Sequence, residues 1–167
     1  IRAMVYLAVL YAASLGRTPT ILAARNAHKA FMSALALTDA RVCWLYGDQN
    51  DSLLSCRISP EVLEAKLSTM EEKPVAFYLT SPDYLGNLAD IRGIAEVCHK
   101  HGVLMMVDNA HGAYLRFLPQ SIHPMDLGAD LCCDSAHKTL PVLTGGAYLH
   151  VADGELAKHA KKALGLF

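Results

Sequence analysis

The sequence predicts an α/β protein, a doubly wound and mostly parallel sheet with helices on its faces. Three observations carry this expectation. Short apolar runs of strand length alternate with longer segments of helical spacing along most of the chain. Two of those runs, Val103 to Val107 and Asp130 to Cys133, have the length and boundaries of buried strands and are followed at once by polar, chemically capable residues. No internal repeat or low-complexity linker divides the 167 residues, so one unit is expected.

The elements follow in order. Ile1 to Leu15 reads as a buried helix closed by Gly16, too short to span a bilayer, and Thr20 to Ala24 as a short buried strand. Arg25 to His28 forms a strand-to-helix turn, and the next helix carries Phe31, Met32, Leu35 and Leu37. Val42 to Tyr46 is a strand, and Gly47 to Cys56 a polar connection. Ser59-Pro60-Glu61 opens a helix with a capping hydroxyl, a proline at the first helical position and an acid that complements the dipole. Its Leu63, Leu67 and Met70 recur at core spacing. Val75 to Leu79 is a strand that runs into the loop Thr80 to Asn87, and Asp90 to His101 a helix ended by Gly102. His99, Lys100 and His101 sit where cations complement that helix's dipole. After the strand Val103 to Val107, a longer connection through Ala113 to Pro124 leads to the strand Asp130 to Cys133. A tight return through Gly145-Gly146 then gives Ala147 to Val151 as a strand expected to run antiparallel, and Glu155 to Leu164 as a helix.

The chemistry concentrates after two strands. Lys138 lies just beyond one of them, with small and polar neighbours, where an open parallel sheet binds ligands. Asp108 ends the strand before it. A lysine amine and a carboxylate at neighbouring strand ends fit pyridoxal phosphate, which needs an amine for its aldehyde and an acid that keeps its pyridine nitrogen protonated.

Four stretches, in this order, resemble the ornithine, lysine and arginine decarboxylase family of pyridoxal-phosphate enzymes. They are Arg25-Asn26-Ala27-His28-Lys29, Thr80-Ser81-Pro82-Asp83-Tyr84-Leu85-Gly86, Asp108-Asn109-Ala110-His111-Gly112 and Ser135-Ala136-His137-Lys138-Thr139. The resemblance implies the aspartate-aminotransferase type of fold, with this chain covering part of the large domain. A phosphate-cradling turn is then expected before residue 1, and a small domain after Phe167. The piece alone is expected to bind the cofactor weakly and not to turn over. It further implies that Lys138 holds the cofactor as an imine, that Asp108 pairs with the pyridine nitrogen and that His28 stacks on the ring. Ala110 lies against the ring and His111 beside cofactor and substrate. Ser135 and His137 are phosphate contacts, and His137 or Lys138 returns the proton after carbon dioxide leaves. Asn109 stands where the family often has Glu, and Gly145-Gly146 where Gln commonly follows Thr144. Both departures bear on the substrate, for which a basic amino acid is the leading choice. Lysine and aspartate are shared with aminotransferases, aldolases and desulfurases of this fold.

Another class of reading uses the D-x-A-H spacing at both strand ends. Asp108, His111, Asp134 and His137 offer oxygen and nitrogen donors to a metal of a hydrolase. A catalytically silent scaffold is the third reading. Composition narrows the partners. With 15 basic and 16 acidic residues the net charge is −1, so no global field selects nucleic acid or an anionic membrane. A small-molecule amino-acid substrate is the expected partner, together with a second copy of the chain in a homodimer or higher homo-oligomer. Five cysteines without a CxxC pair, three of them in apolar runs, fit reduced buried thiols of a cytoplasmic protein.

Overall fold

The computed structural model describes residues 1–47 and 54–167. Most of the predicted polar connection Gly47 to Cys56 therefore lies outside the described residues. The elements are α1 (Arg2–Ser14), β1 (Thr20–Ala24), α2 (Lys29–Thr38), β2 (Arg41–Leu45), α3 (Pro60–Thr69), β3 (Ala76–Thr80) and α4 (Ile91–Lys100). They continue with β4 (Leu104–Asp108), two 3-10 turns (Ala113–Phe117 and Pro124–Leu127), β5 (Leu131–Asp134), α5 (Ala136–Thr139), β6 (Tyr148–Val151) and α6 (Gly154–Leu166).

One six-stranded sheet has the order β2-β1-β3-β4-β5-β6. All pairs are parallel except β5 with β6, the antiparallel return expected from the sequence. Because strand side chains alternate, the sheet builds two cores. One face carries Ile21, Ala23, Tyr78, Met106 and Cys133 against α1, α2 and α6. The other carries Leu22, Phe77, Met105, Val107 and Cys132 against α3 and α4. Burial on both sides explains the near-continuous apolar strands.

Local chemistry sets the helix ends. Ser59 accepts the Val62 N–H at 3.3 Å and Asp90 the Gly93 N–H at 3.1 Å, each satisfying an orphan donor. Phe31 and Leu35 face the core from α2, whereas Met32 and Leu37 lie on its exposed side. Met70 does not continue the core stripe of Leu63 and Leu67. It leaves the helix at the C-cap and is only partly buried. The histidines at the end of α4 do more than complement its dipole: His99 pairs with Asp130 at 3.0 Å, and Lys100 and His101 pair with Glu64 at 2.9 and 3.1 Å. The Lys100 and His101 contacts hold the Glu64 carboxyl down at about 2.

Candidate active site

Strands β3, β4 and β5 are adjacent, and their register aligns Thr80 with Asp108 and Asp108 with Cys133. The strand ends fall one residue later than predicted, so Asp108 is the last residue of β4 and not the first of its turn. A cavity of about 300 Å³ opens at this edge. Its wall includes His28, Thr80, Tyr84, Asp108, Ala110, His111, Ser135 and Lys138. Six of the predicted site residues thus meet in one place: His28, Asp108, Ala110, His111, Ser135 and Lys138.

Each is held by its own segment. His28 is the N-cap of α2, where its Nδ1 accepts the Ala30 N–H at 3.1 Å. Lys138 rides on the single turn of α5 that follows β5, and its Nζ stands 3.3 Å from His111 Nε2. Burial, and then the charge of Lys138, hold the His111 imidazole below its ordinary value. It is therefore held neutral, suited to accept a hydrogen bond from Lys138 rather than to carry a second positive charge beside it. The Tyr84 ring meets the His111 ring edge-on at 6.0 Å.

Asp108 is 2% exposed and braced from behind. The Tyr78 hydroxyl donates to Oδ2 at 3.0 Å, and the Cys133 thiol points at Oδ1 from 3.7 Å. Burial and the Asp108 charge push the Tyr78 phenol well up, so it stays a donor. Phe31 stacks on the Tyr78 ring at a centroid distance of 4.1 Å, which ties the helix capped by His28 to the strand behind Asp108. Sequence reasoning missed Tyr78. The signal was a hydroxyl-bearing ring inside a strand that is otherwise apolar, since a buried phenol normally finds a partner.

Two expectations need correction. His137 does not enter the cavity: it is exposed on the outer side of α5, with Nδ1 2.9 Å from the Gly146 carbonyl. Four residues make little more than one helical turn, and the turn that aims Lys138 inward carries its neighbour outward. The four-residue metal set also does not assemble. Asp108 shares a sheet face with Met106 and Cys133, whereas Asp134 shares the opposite face with Cys132, so the pleat separates the two carboxylates. Asp134 instead meets His123 and His150, and among the described residues these three form the one group with metal-ligand types within 4.8 Å. Neither histidine was singled out from sequence.

The cavity fits pyridoxal phosphate chemically. It offers an amine and a buried, braced carboxylate on adjacent strand ends, with a flat ring at His28 and a small wall at Ala110. The Thr80 Oγ1 in its wall is buried with no hydrogen-bond partner among the described residues, and a polar ligand atom would satisfy it. Asn26, in the same motif as His28, is also buried with its amide atoms unpaired among the described residues, and nothing in the structure explains it.

Comparison with known proteins agrees with this arrangement. A family model described as "Orn/Lys/Arg decarboxylase, major domain" matches residues 5–164. The uncharacterized protein YaaO of Bacillus subtilis (strain 168) is 35% identical over 139 residues, covering 79% of this chain and 28% of that protein. An arginine decarboxylase of Halalkalibacterium halodurans is 33% identical over 138 residues, covering 80% of this chain and 28% of that enzyme. The crystal structure of Rhodiola rosea 4-hydroxyphenylacetaldehyde synthase superimposes with a TM-score of 0.77 at 15% identity, covering 95% of this chain and 37% of the other, a likeness of fold. The chain thus spans 28% of the length of either curated relative.

Proposed function

We propose, from the premise that this chain belongs to the Orn/Lys/Arg decarboxylase family, that its natural protein is a pyridoxal-phosphate-dependent decarboxylase of a basic amino acid. The observation that carries the reading is one cavity uniting Lys138 and Asp108 from neighbouring strand ends with His28, Ala110 and His111. The cofactor is pyridoxal 5'-phosphate. When bound it supplies an aldehyde for amines and a protonated ring that accepts the electron pair left as carbon dioxide departs.

The residues of this chain do the rest. Lys138 Nζ would be the amine that holds the cofactor's aldehyde and gives way to the substrate amine. Asp108, aimed by the Tyr78 hydroxyl, would pair with the pyridine nitrogen and favour its protonated form. His28 and Ala110 would border the ring, and Ser135 would offer its hydroxyl to the phosphate. Lys138 Nζ and His111 Nε2, 3.3 Å apart, would hold and deliver the proton that ends on the substrate carbon. With His137 turned outward, this pair takes over the proton return assigned above to His137 or Lys138. The basic substrate is supported by relatives named arginine decarboxylase.

The assembly we infer is a homodimer or higher homo-oligomer in the cytoplasm, supported by apolar side chains such as Phe117 and Leu143 left exposed and by five free thiols. No helix among the described residues is long and apolar enough to cross a membrane.

Borohydride reduction of the cofactor-loaded protein, followed by peptide mapping, tests the central assignment. The pyridoxyl label is expected on Lys138. A label on Lys29 or Lys100 overturns it, as does a protein that stays colourless with the cofactor.

A further inference from the structure

The cluster on the opposite face of the sheet has no part in the chemistry above, yet it grips the same two strand ends. Asp134, the last residue of β5, is 4% exposed and receives donors from three directions. His123 Nε2, from the second 3-10 turn, stands 3.1 Å from its Oδ2, and His150 Nε2, from β6, 2.8 Å. Asn109, the residue after Asp108, donates its Nδ2 to Oδ1 at 2.7 Å. Donors from both imidazoles and from Asn109 outweigh burial and hold the Asp134 carboxyl far below its ordinary range.

Two histidines and a carboxylate suggest a cation, and proton accounting decides against it. His123 Nδ1 accepts the Met125 N–H at 3.3 Å as the cap of its turn. A neutral imidazole carries one proton, so that of His123 resides on Nε2 and points at the carboxylate, leaving no lone pair there for a metal. Spacing agrees. Ligand atoms on a tetrahedral ion at roughly 2.0–2.1 Å lie about 3.3 Å or more apart, whereas the His150 contact of 2.8 Å is a hydrogen-bond distance.

We propose that Asp134 is a positioning residue. By accepting His123, His150 and Asn109 it clamps the ends of β4, β5 and β6 together on one face, so that Asp108 and Lys138 are presented at fixed separation on the other. The sheet makes this coupling direct. Asn109 is bonded in sequence to Asp108, and its backbone N–H also donates to the Cys133 carbonyl at 2.9 Å, just ahead of Asp134. Release of the Asn109 side chain frees the turn that carries Ala110 and His111, while release of Asp134 frees the turn that carries Lys138. The role rests on the reading of the cavity as the cofactor site.

The chemistry also predicts which substitution is tolerated. In Asp134→Asn, the amide oxygen can keep facing the two imidazoles if Asn109 turns its own amide around. Asn109 Oδ1 is now buried and unpaired among the described residues, so the turn costs it no existing bond. Asp134→Ala leaves these three donors, and the Cys132 thiol 3.7 Å from Oδ1, without their acceptor.

Pyridoxal phosphate titration of the natural-length protein, followed by visible absorbance and circular dichroism of the bound cofactor, tests the clamp. Asp134→Ala is expected to weaken binding at least tenfold and to change the dichroic band, which reports ring orientation. Asp134→Asn is expected to stay within about threefold with the parent band. Should Asp134→Ala fail to fold, His150→Phe on the half-exposed edge strand gives the same reading with a smaller loss. Asn109→Ala added to Asp134→Ala should cost little more than Asp134→Ala alone, because the two act through one contact. Parent affinity and dichroism in Asp134→Ala, or in His150→Phe if only that variant folds, overturn the clamp. So does a stoichiometric cobalt(II) complex with visible ligand-field bands that is lost in His150→Ala. A parent protein that takes up no cofactor refutes the functional reading itself, and the clamp's role falls with it.

Discussion

Replacing Tyr78 with phenylalanine isolates the brace behind Asp108. The ring is fully buried and stacked on Phe31, so the variant keeps its shape and loses only the oxygen that stands 3.0 Å from Asp108 Oδ2. A hydrogen bond to a charged group is worth a net of roughly 1.5–3 kcal/mol. The Cys133 thiol at 3.7 Å is a weak donor to the other oxygen and replaces little of that. With a urea slope of about 1–3 kcal/mol/M for chains of this size, the unfolding midpoint should fall by roughly 1 M. Alkaline pH gives a second readout. The folded phenol titrates above its ordinary value of 10.0, so its neutral form contributes stability in full below about pH 10, and that contribution is lost as pH rises toward the folded value. Tyr78→Phe removes this component and flattens the alkaline limb. The limb does not vanish, because burial also holds the Cys98 and Cys133 thiols up at about 12 and pushes the Cys132 thiol well above its ordinary value. Cofactor-free urea unfolding between pH 7 and 11 is the assay. A variant as stable as its parent, with the same alkaline limb, would show that the hydroxyl does not support Asp108.

Two further substitutions probe the same edge. Asp108→Asn should still capture the cofactor at Lys138 but lose most turnover, because a neutral amide no longer favours the protonated ring; carbon dioxide release near the parent rate removes that assignment. In Gly112→Ala the new Cβ would collide with Asn109 Oδ1 and lie 2.7 Å from Pro82 Cδ, both in packed surroundings. Overpacking of this kind costs roughly 1–3 kcal/mol, and a thermal midpoint indistinguishable from the parent would mean that the Asp108 turn is looser than described.

The residues that sequence reveals are those whose role depends on type and strand-end position. Lys138 and Asp108 follow apolar runs, and the place where open parallel sheets bind ligands sends both to one edge. Local rules also mark Ser59 as a cap, because a capping side chain answers to the backbone only two or three residues away, whereas Asp90, read as the first helical residue, caps its helix instead. Parity is harder to read. A strand boundary placed one residue early leaves the face of its last side chain undefined, which is how Asp134 and His137 joined Asp108 and His111 in a single hypothetical ligand set. His123 and His150 carry no local signal. Their meaning lies in a carboxylate reached only after the crossover and the antiparallel return have folded.

That antiparallel return has a consequence for the order in which the molecule comes together. Each parallel pair must wait for a crossover to close, and the most distant, Ile21 against Ala76, waits for α2, β2 and α3 to be accommodated. Asp134 against Tyr148 is the pairing nearest in sequence, and the loop it closes is the one that holds Lys138. Loop-closure entropy makes β5–β6 the least costly part of the sheet to nucleate, with β1 joining β3 late. Substitutions such as Leu149→Ala are then expected to slow refolding, and Ile21→Val chiefly to speed unfolding, in stopped-flow kinetics. The reverse pattern would place the nucleus on the opposite side of the sheet. On this kinetic scheme the reactive amine is installed early, on a hairpin whose partners arrive afterward to build the cavity around it.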